Sequence, residues 1–115
     1  MHELSVALSL IDVVEEEAAR HPGRVEAVHL RLGPLSGVIA DALVPAFEMA
    51  RTGTPLEGVR LLVEEVPIII FCPHCQERRT VDSMQWFCCP VCDTPASQVV
   101  QGRELEVVAL EMSDA

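Results

Sequence analysis

The sequence predicts an α+β fold in which two helices cover a three-stranded sheet and a small two-knuckle domain is inserted between the second and third strands. Three observations carry that expectation. Residues 4 to 20 place apolar side chains at spacings of three and four, residues 25 to 32 alternate apolar with polar, and two C-x2-C pairs lie between two later strand-like segments.

In the first helix Leu4, Ala7, Leu8, Ile11, Val14 and Ala18 share a stripe, while Asp12, Glu15 and Glu16 fall elsewhere on the wheel. His21, Pro22 and Gly23 stop it. In VEAVHLRL, Val28, Leu30 and Leu32 alternate with His29 and Arg31, which reads as a strand with one buried face. A turn follows at Gly33, Pro34, Ser36 and Gly37. The second helix is expected from Ala40 to Arg51, with Leu43, Phe47 and Ala50 on one stripe and Pro45 tolerated near its first turn. Strands are then expected in RLLVEEV after Gly58 and in RELEVVALEM after Gly102.

A chain of 115 residues, 50% hydrophobic, suffices for one compact domain or one domain with an appendage, and excludes a large multi-layer enzyme. Its net charge is -10, and all eight basic residues are arginine. That balance repels phosphate backbones and anionic bilayers, so neither nucleic acid nor a membrane is an expected partner. Glu3, Asp12 and the run Glu15, Glu16, Glu17 stand where an export signal would need a basic and then an apolar region. The longest apolar run, VPIIIF, falls far short of the roughly 18 residues of a membrane span. The expected compartment is the cytoplasm, where cysteines serve as metal ligands or free thiols rather than as a disulfide framework.

The strongest local signal is Cys72-Pro-His-Cys75, then thirteen residues, then Cys89-Pro-Val-Cys92. Each C-x2-C pair makes a tight knuckle offering two sulfurs, and the intervening loop lets two knuckles face each other around a tetrahedral ion. Four thiolates suit zinc, or iron in the rubredoxin manner. A zinc-ribbon-like segment of about thirty residues cannot bury a core of its own, and metal ligation of about 10–16 kcal/mol can fold it instead. Cys88 would make a C-x3-C pair with Cys92, so Cys89 is the expected ligand. That leaves Cys88 as a small core residue, an oxidation-sensitive thiol or an alternate ligand.

FCPHC also resembles the active-site motif of thiol–disulfide oxidoreductases, but QERRTVD lacks a helical stripe and the second pair would be left without a role. A nucleic-acid-binding ribbon has only Arg78 and Arg79 as a basic cluster near the knuckles. Four protein sulfurs leave no open position for substrate, and no catalytic constellation stands out elsewhere, so the chain reads as a non-enzyme.

The chain begins MHELS. A free Met1 amine, the His2 amide and the His2 imidazole place three metal donors on two residues. Together with LSGV at 35 to 38, Phe47-Glu48, the C-x2-C pair followed by FCCPVC, and a closing GRELEVVALE, this start resembles the HypA/HybF family, the nickel-insertion accessory proteins of [NiFe]-hydrogenase maturation. The resemblance spans essentially the whole chain. Asp93 departs from it, since the family usually carries glycine after the last cysteine, and Cys88 is a second departure.

The resemblance implies a metallochaperone with two sites: structural Zn(II) at Cys72, Cys75, Cys89 and Cys92, and transient Ni(II) at the N-terminus through His2. It implies a nickel-binding α+β domain of residues 1–68 plus 103–115 and a zinc-binding domain of residues 69–102. Its partners would be a HypB-type nickel GTPase and the hydrogenase large-subunit precursor. The chemistry of the terminus agrees: amine and amide close a five-membered chelate ring, the imidazole closes a six-membered one, and such nitrogens favour square-planar Ni(II) or Cu(II) over Zn(II). One planar position stays vacant. Glu3 can fill it through its backbone nitrogen or carboxylate, or a histidine can, the candidates being His21, His29 and His74. The competing expectation is a zinc-ribbon protein-interaction module in which the MHE start is incidental.

Overall fold

The computed structural model describes residues 2–83 and 85–114. Helix α1 spans His2–Ala18, strand β1 Arg24–Leu32, a 3-10 turn Pro34–Ser36, and helix α2 Ala40–Ala50. Strands β2 (Arg60–Glu65), β3 (Ile68–Cys72), β4 (Glu77–Val81), β5 (Gln98–Gln101) and β6 (Leu105–Ser113) follow. They form two three-stranded sheets, ordered β2-β1-β6 and β4-β3-β5. The chain divides into two compact units: residues 1–31, 38–64 and 106–115, and residues 32–37 and 65–105.

In the first unit, α1 buries Ala7, Leu10, Ile11 and Val14, and α2 buries Leu43 and Phe47. The helices pack on each other. Val28 and Leu30 of β1 and Leu61 of β2 join this core, while His29 and Arg31 keep partial exposure, as the alternation of β1 requires. The other face of the sheet is polar: His29 meets Glu111 at 2.5 Å, and Arg31 lies 3.5 Å from Glu64 and 4.0 Å from Glu106.

Helix α1 starts two residues before the apolar stripe does, because Glu3 suits the positive end of the helix dipole. It ends at Ala18, the last residue of the stripe and two short of the expected span: the Arg20 and His21 amides donate to carbonyls three residues back, and Gly23 turns the chain at φ 99°. Pro45 lies inside α2, beyond the first turn. The helix passes through it although Pro45 has no N–H to give the carbonyl of Asp41, an exposed residue.

The second unit contains an element that periodicity alone did not resolve. VPIIIF is too short to distinguish strand from helix; in the structure its core becomes β3, the central strand of the second sheet, paired antiparallel with β4 and β5. Ile68, Ile70 and Val81 form a small apolar cluster, against which Leu35, Phe87, Ala96 and Val99 pack.

Candidate metal centre

The β3–β4 hairpin makes the first knuckle. Cys72 is the last residue of β3, Cys75 follows in the turn, and the Gln76 amide closes that turn on the Cys72 carbonyl at 2.9 Å. The second knuckle repeats the arrangement, with the Asp93 amide on the Cys89 carbonyl at 2.8 Å. Gln76 and Asp93 hold the same left-handed backbone, φ 58° and 64°. Each follows the last cysteine of its knuckle, where the chain must reverse so that amides point at sulfur. The Cys75 amide donates to Cys72 Sγ at 3.3 Å, and the Val91 amide to Cys89 Sγ at 3.4 Å.

The four sulfurs of Cys72, Cys75, Cys89 and Cys92 lie within 4.8 Å of one another. The Cys72–Cys92, Cys75–Cys92 and Cys75–Cys89 separations are 3.5, 3.6 and 4.0 Å. A tetrahedron with metal–sulfur bonds of about 2.3 Å has edges of about 3.8 Å, so these sulfurs are spaced for one ion. Cys72 and Cys89 are buried, the other two half-buried. Cys88 lies outside the group, bridged to Pro95 by backbone pairing, and burial pushes its thiol up.

The surroundings favour anionic sulfur unevenly. Burial works against ionisation of Cys89, but hydrogen bonds from the Cys92 and Val91 amides and from Arg79 outweigh it and bring the thiol down to about 6. The Thr94 hydroxyl, 3.2 Å from Cys92 Sγ, holds that thiol low together with the Thr94 amide. At Cys75 the Arg79 contact lowers the pKa, yet crowding by Cys92, burial, Cys72 and Cys89 raise it to about 11. Anions packed this closely call for a cation among them.

Of the residues expected at the nickel site, Met1 lies outside the described residues. His2 is exposed and Glu3 half-buried, and both belong to the first turn of α1. Backbone N–H groups there have no carbonyl partner within the helix, so a metal can take them without breaking the helical ladder. His21 pairs with Glu17 at 3.2 Å, His29 with Glu111, and His74 is exposed in the first knuckle. Among the described residues, the four cysteines are the one group of three or more His, Cys, Asp or Glu side chains that converge on a common point.

A family profile described as "Hydrogenase/urease nickel incorporation, metallochaperone, hypA" matches residues 1–112. The chain belongs to the HypA family. It is 50% identical over 112 residues to the hydrogenase maturation factor HypA of Chloroflexus aurantiacus, covering 96% of this chain and 98% of the relative. To the HypA of a Roseiflexus species it is 47% identical over 115 residues, covering 99% and 94%. The solution structure of the Ni metallochaperone HypA from Helicobacter pylori superposes with a TM-score of 0.68 at 25% identity, covering 98% of both chains. A second solution structure of a HypA protein gives 0.72 at 26% identity, covering 100% of this chain and 98% of the other.

HypA proteins are metallochaperones and maturation factors, not catalytic enzymes. No helix of the described residues is long and apolar enough to cross a membrane. One residue at the HypA cysteine cluster is not singled out by the sequence beyond its place in a basic pair: Arg79, in β4 opposite Ile70, favours the thiolates of Cys75 and Cys89. Its place in β4 was hidden because ERRTV offers no apolar alternation.

Proposed function

We propose that this chain is a nickel metallochaperone that takes up Ni(II) at its N-terminus and delivers it for [NiFe]-hydrogenase maturation, with Zn(II) held structurally by Cys72, Cys75, Cys89 and Cys92. The observation that carries the reading is the placement of His2 and Glu3, in a HypA-family chain, at the exposed start of a helix whose first amides are free of the ladder. The Met1 amine, the His2 amide and the His2 imidazole supply three planar donors, and Glu3 supplies the fourth. A deprotonated amide is further favoured by the positive end of the α1 dipole.

The unit built on α1 then carries the cargo, and the cysteine unit, whose four sulfurs leave no vacancy, carries a resident ion. Its partners are a HypB-type nickel GTPase, which passes nickel on, and the hydrogenase large-subunit precursor, which receives it, all in the cytoplasm. The net charge of -10 suits a partner that docks through basic residues.

The test is a nickel titration of protein starting at Met1-His2, beside protein carrying one additional N-terminal glycine, with zinc measured in both. The extension moves the amine off Met1 and His2 to the third position. A changed stoichiometry, affinity or square-planar absorption band is expected, with zinc constant. Two coincident titrations would replace this reading with that of a zinc-ribbon interaction module.

A further inference from the structure

The antiparallel register of the second sheet sets Ile68 opposite Val81, Ile70 opposite Arg79 and Cys72 opposite Glu77. Directly opposed residues share a face of a sheet. Arg79 therefore occupies the row that contains buried Ile68, Ile70, Cys72 and Val81. Its side chain is 23% exposed, and its Nε is buried without a hydrogen-bond partner. A guanidinium in such a row is costly unless an anion compensates it. Glu77, at 3.5 Å, is itself 65% exposed and compensates little. The anions that the guanidinium favours are the thiolates of Cys75 and Cys89, whose ionisation it promotes.

Four thiolates around one divalent ion carry a net charge of minus two. We propose that Arg79 is the counter-cation of this cluster: it positions and shields Cys75 and Cys89, slowing both loss of the ion and attack by electrophiles on those two sulfurs. A planar, weakly hydrated guanidinium suits this place better than an ammonium, because it lies flat against sulfur without carrying a tight water shell inward. The inference rests on the reading of the cluster as a zinc site.

The experiment uses the full chain with zinc content measured first, comparing wild type, Arg79→Met, which keeps most of the stem, and Arg79→Lys, which keeps the charge. Zinc transfer to excess EDTA is followed beside iodoacetamide labelling of each cysteine by peptide mapping. Arg79→Met should transfer zinc about tenfold faster and Arg79→Lys within about threefold of wild type, as expected for removing or displacing a charge next to a partly buried anion. Labelling should accelerate at Cys75 and Cys89 ahead of Cys72 and Cys92.

Equal transfer in Arg79→Met and wild type overturns the inference while leaving the zinc reading intact. So does equal acceleration in both variants, which signals lost packing instead of lost charge. Wild-type protein that takes up no zinc overturns both. Should Arg79→Met fail to fold, Glu77→Gln decides: freeing the guanidinium from its exposed competitor should slow transfer about twofold, and transfer as fast as wild type counts against the inference.

Discussion

Gly33 and Gly102 meet backbone to backbone: a Cβ on Gly33 would stand 2.2 Å from the Gly102 carbonyl oxygen. The Leu35 amide donates to that oxygen at 2.7 Å, and the Gly33 amide to the Glu104 carbonyl at 2.8 Å, so the segment 32–37 is tied to residues 102 and 104 by main-chain bonds. Neither partner can retreat without losing them. Gly33→Ala is therefore expected to cost about 2–4 kcal/mol. Gly53→Ala, at φ 79° with nothing within 4 Å, should cost about 1 kcal/mol from backbone strain alone. Urea unfolding of the two variants side by side checks this, and equal losses would mean that the close approach is not a constraint.

Asp93 sits where the second knuckle needs left-handed backbone, at φ 64°. Aspartate reaches that region at a modest cost and glycine at none, whereas a β-branched residue is strongly opposed. Asp93→Gly should accordingly strengthen zinc retention by about 1 kcal/mol, and Asp93→Val should weaken it by more. A competition titration with a chromogenic chelator gives the order, and Asp93→Val retaining zinc as well as Asp93→Gly would refute it.

Cys89 and Cys88 are neighbours with different fates. Cys89 Sγ lies 4.0 Å from Cys75 Sγ within the four-sulfur group, while Cys88 lies outside it. Cys89→Ala should abolish stoichiometric zinc, and with it the second unit's order, since a cluster of Ile68, Ile70 and Val81 is a small core to stand on without the metal. Cys88→Ala should keep zinc at one per chain. Metal analysis with hydrogen exchange over residues 65 to 105 reads both. Loss of zinc from Cys88→Ala would assign the ligands differently.

Much of this was legible beforehand for a physical reason. The stripe of α1 and the alternation of β1 are periodic burial patterns: Ala7, Ile11, Val14, Val28 and Leu30 are buried as expected, whereas Leu4 and Leu8 of the expected stripe are exposed and Leu10, outside it, is buried, so the buried face is rotated from the one the spacing suggests. The knuckles were legible because ligand spacing follows from coordination geometry. The second sheet was not, because β4 and β5, with few or partly exposed apolar residues, owe their strand state to pairing with β3, and pairing with another segment leaves no period in a strand's own sequence. Arg79 was illegible for the same reason: its position opposite Ile70 is a property of register, which no single segment contains. Pro45 shows the opposite limit, since local propensity argues against a helix interior that packing of Leu43 and Phe47 enforces.

The proposed nickel site carries a pH dependence whose sign follows from its donors. Uptake requires the His2 amide to lose a proton, and the Met1 amine to lose one wherever it is still ammonium, so binding releases protons and must weaken as pH falls. One to two protons per ion correspond to a loss of about tenfold to a hundredfold in affinity for each pH unit on the acid side. Among the described residues, the first turn of α1 holds one acidic side chain, the half-buried Glu3. Calorimetry at two pH values, in buffers of different ionisation enthalpy, counts the protons directly, and His2→Ala should remove both the protons and the high-affinity phase. Affinity that is flat between the two pH values, or unaltered in His2→Ala, would place the nickel on side chains that need no amide, and the N-terminal chelate would have to be abandoned.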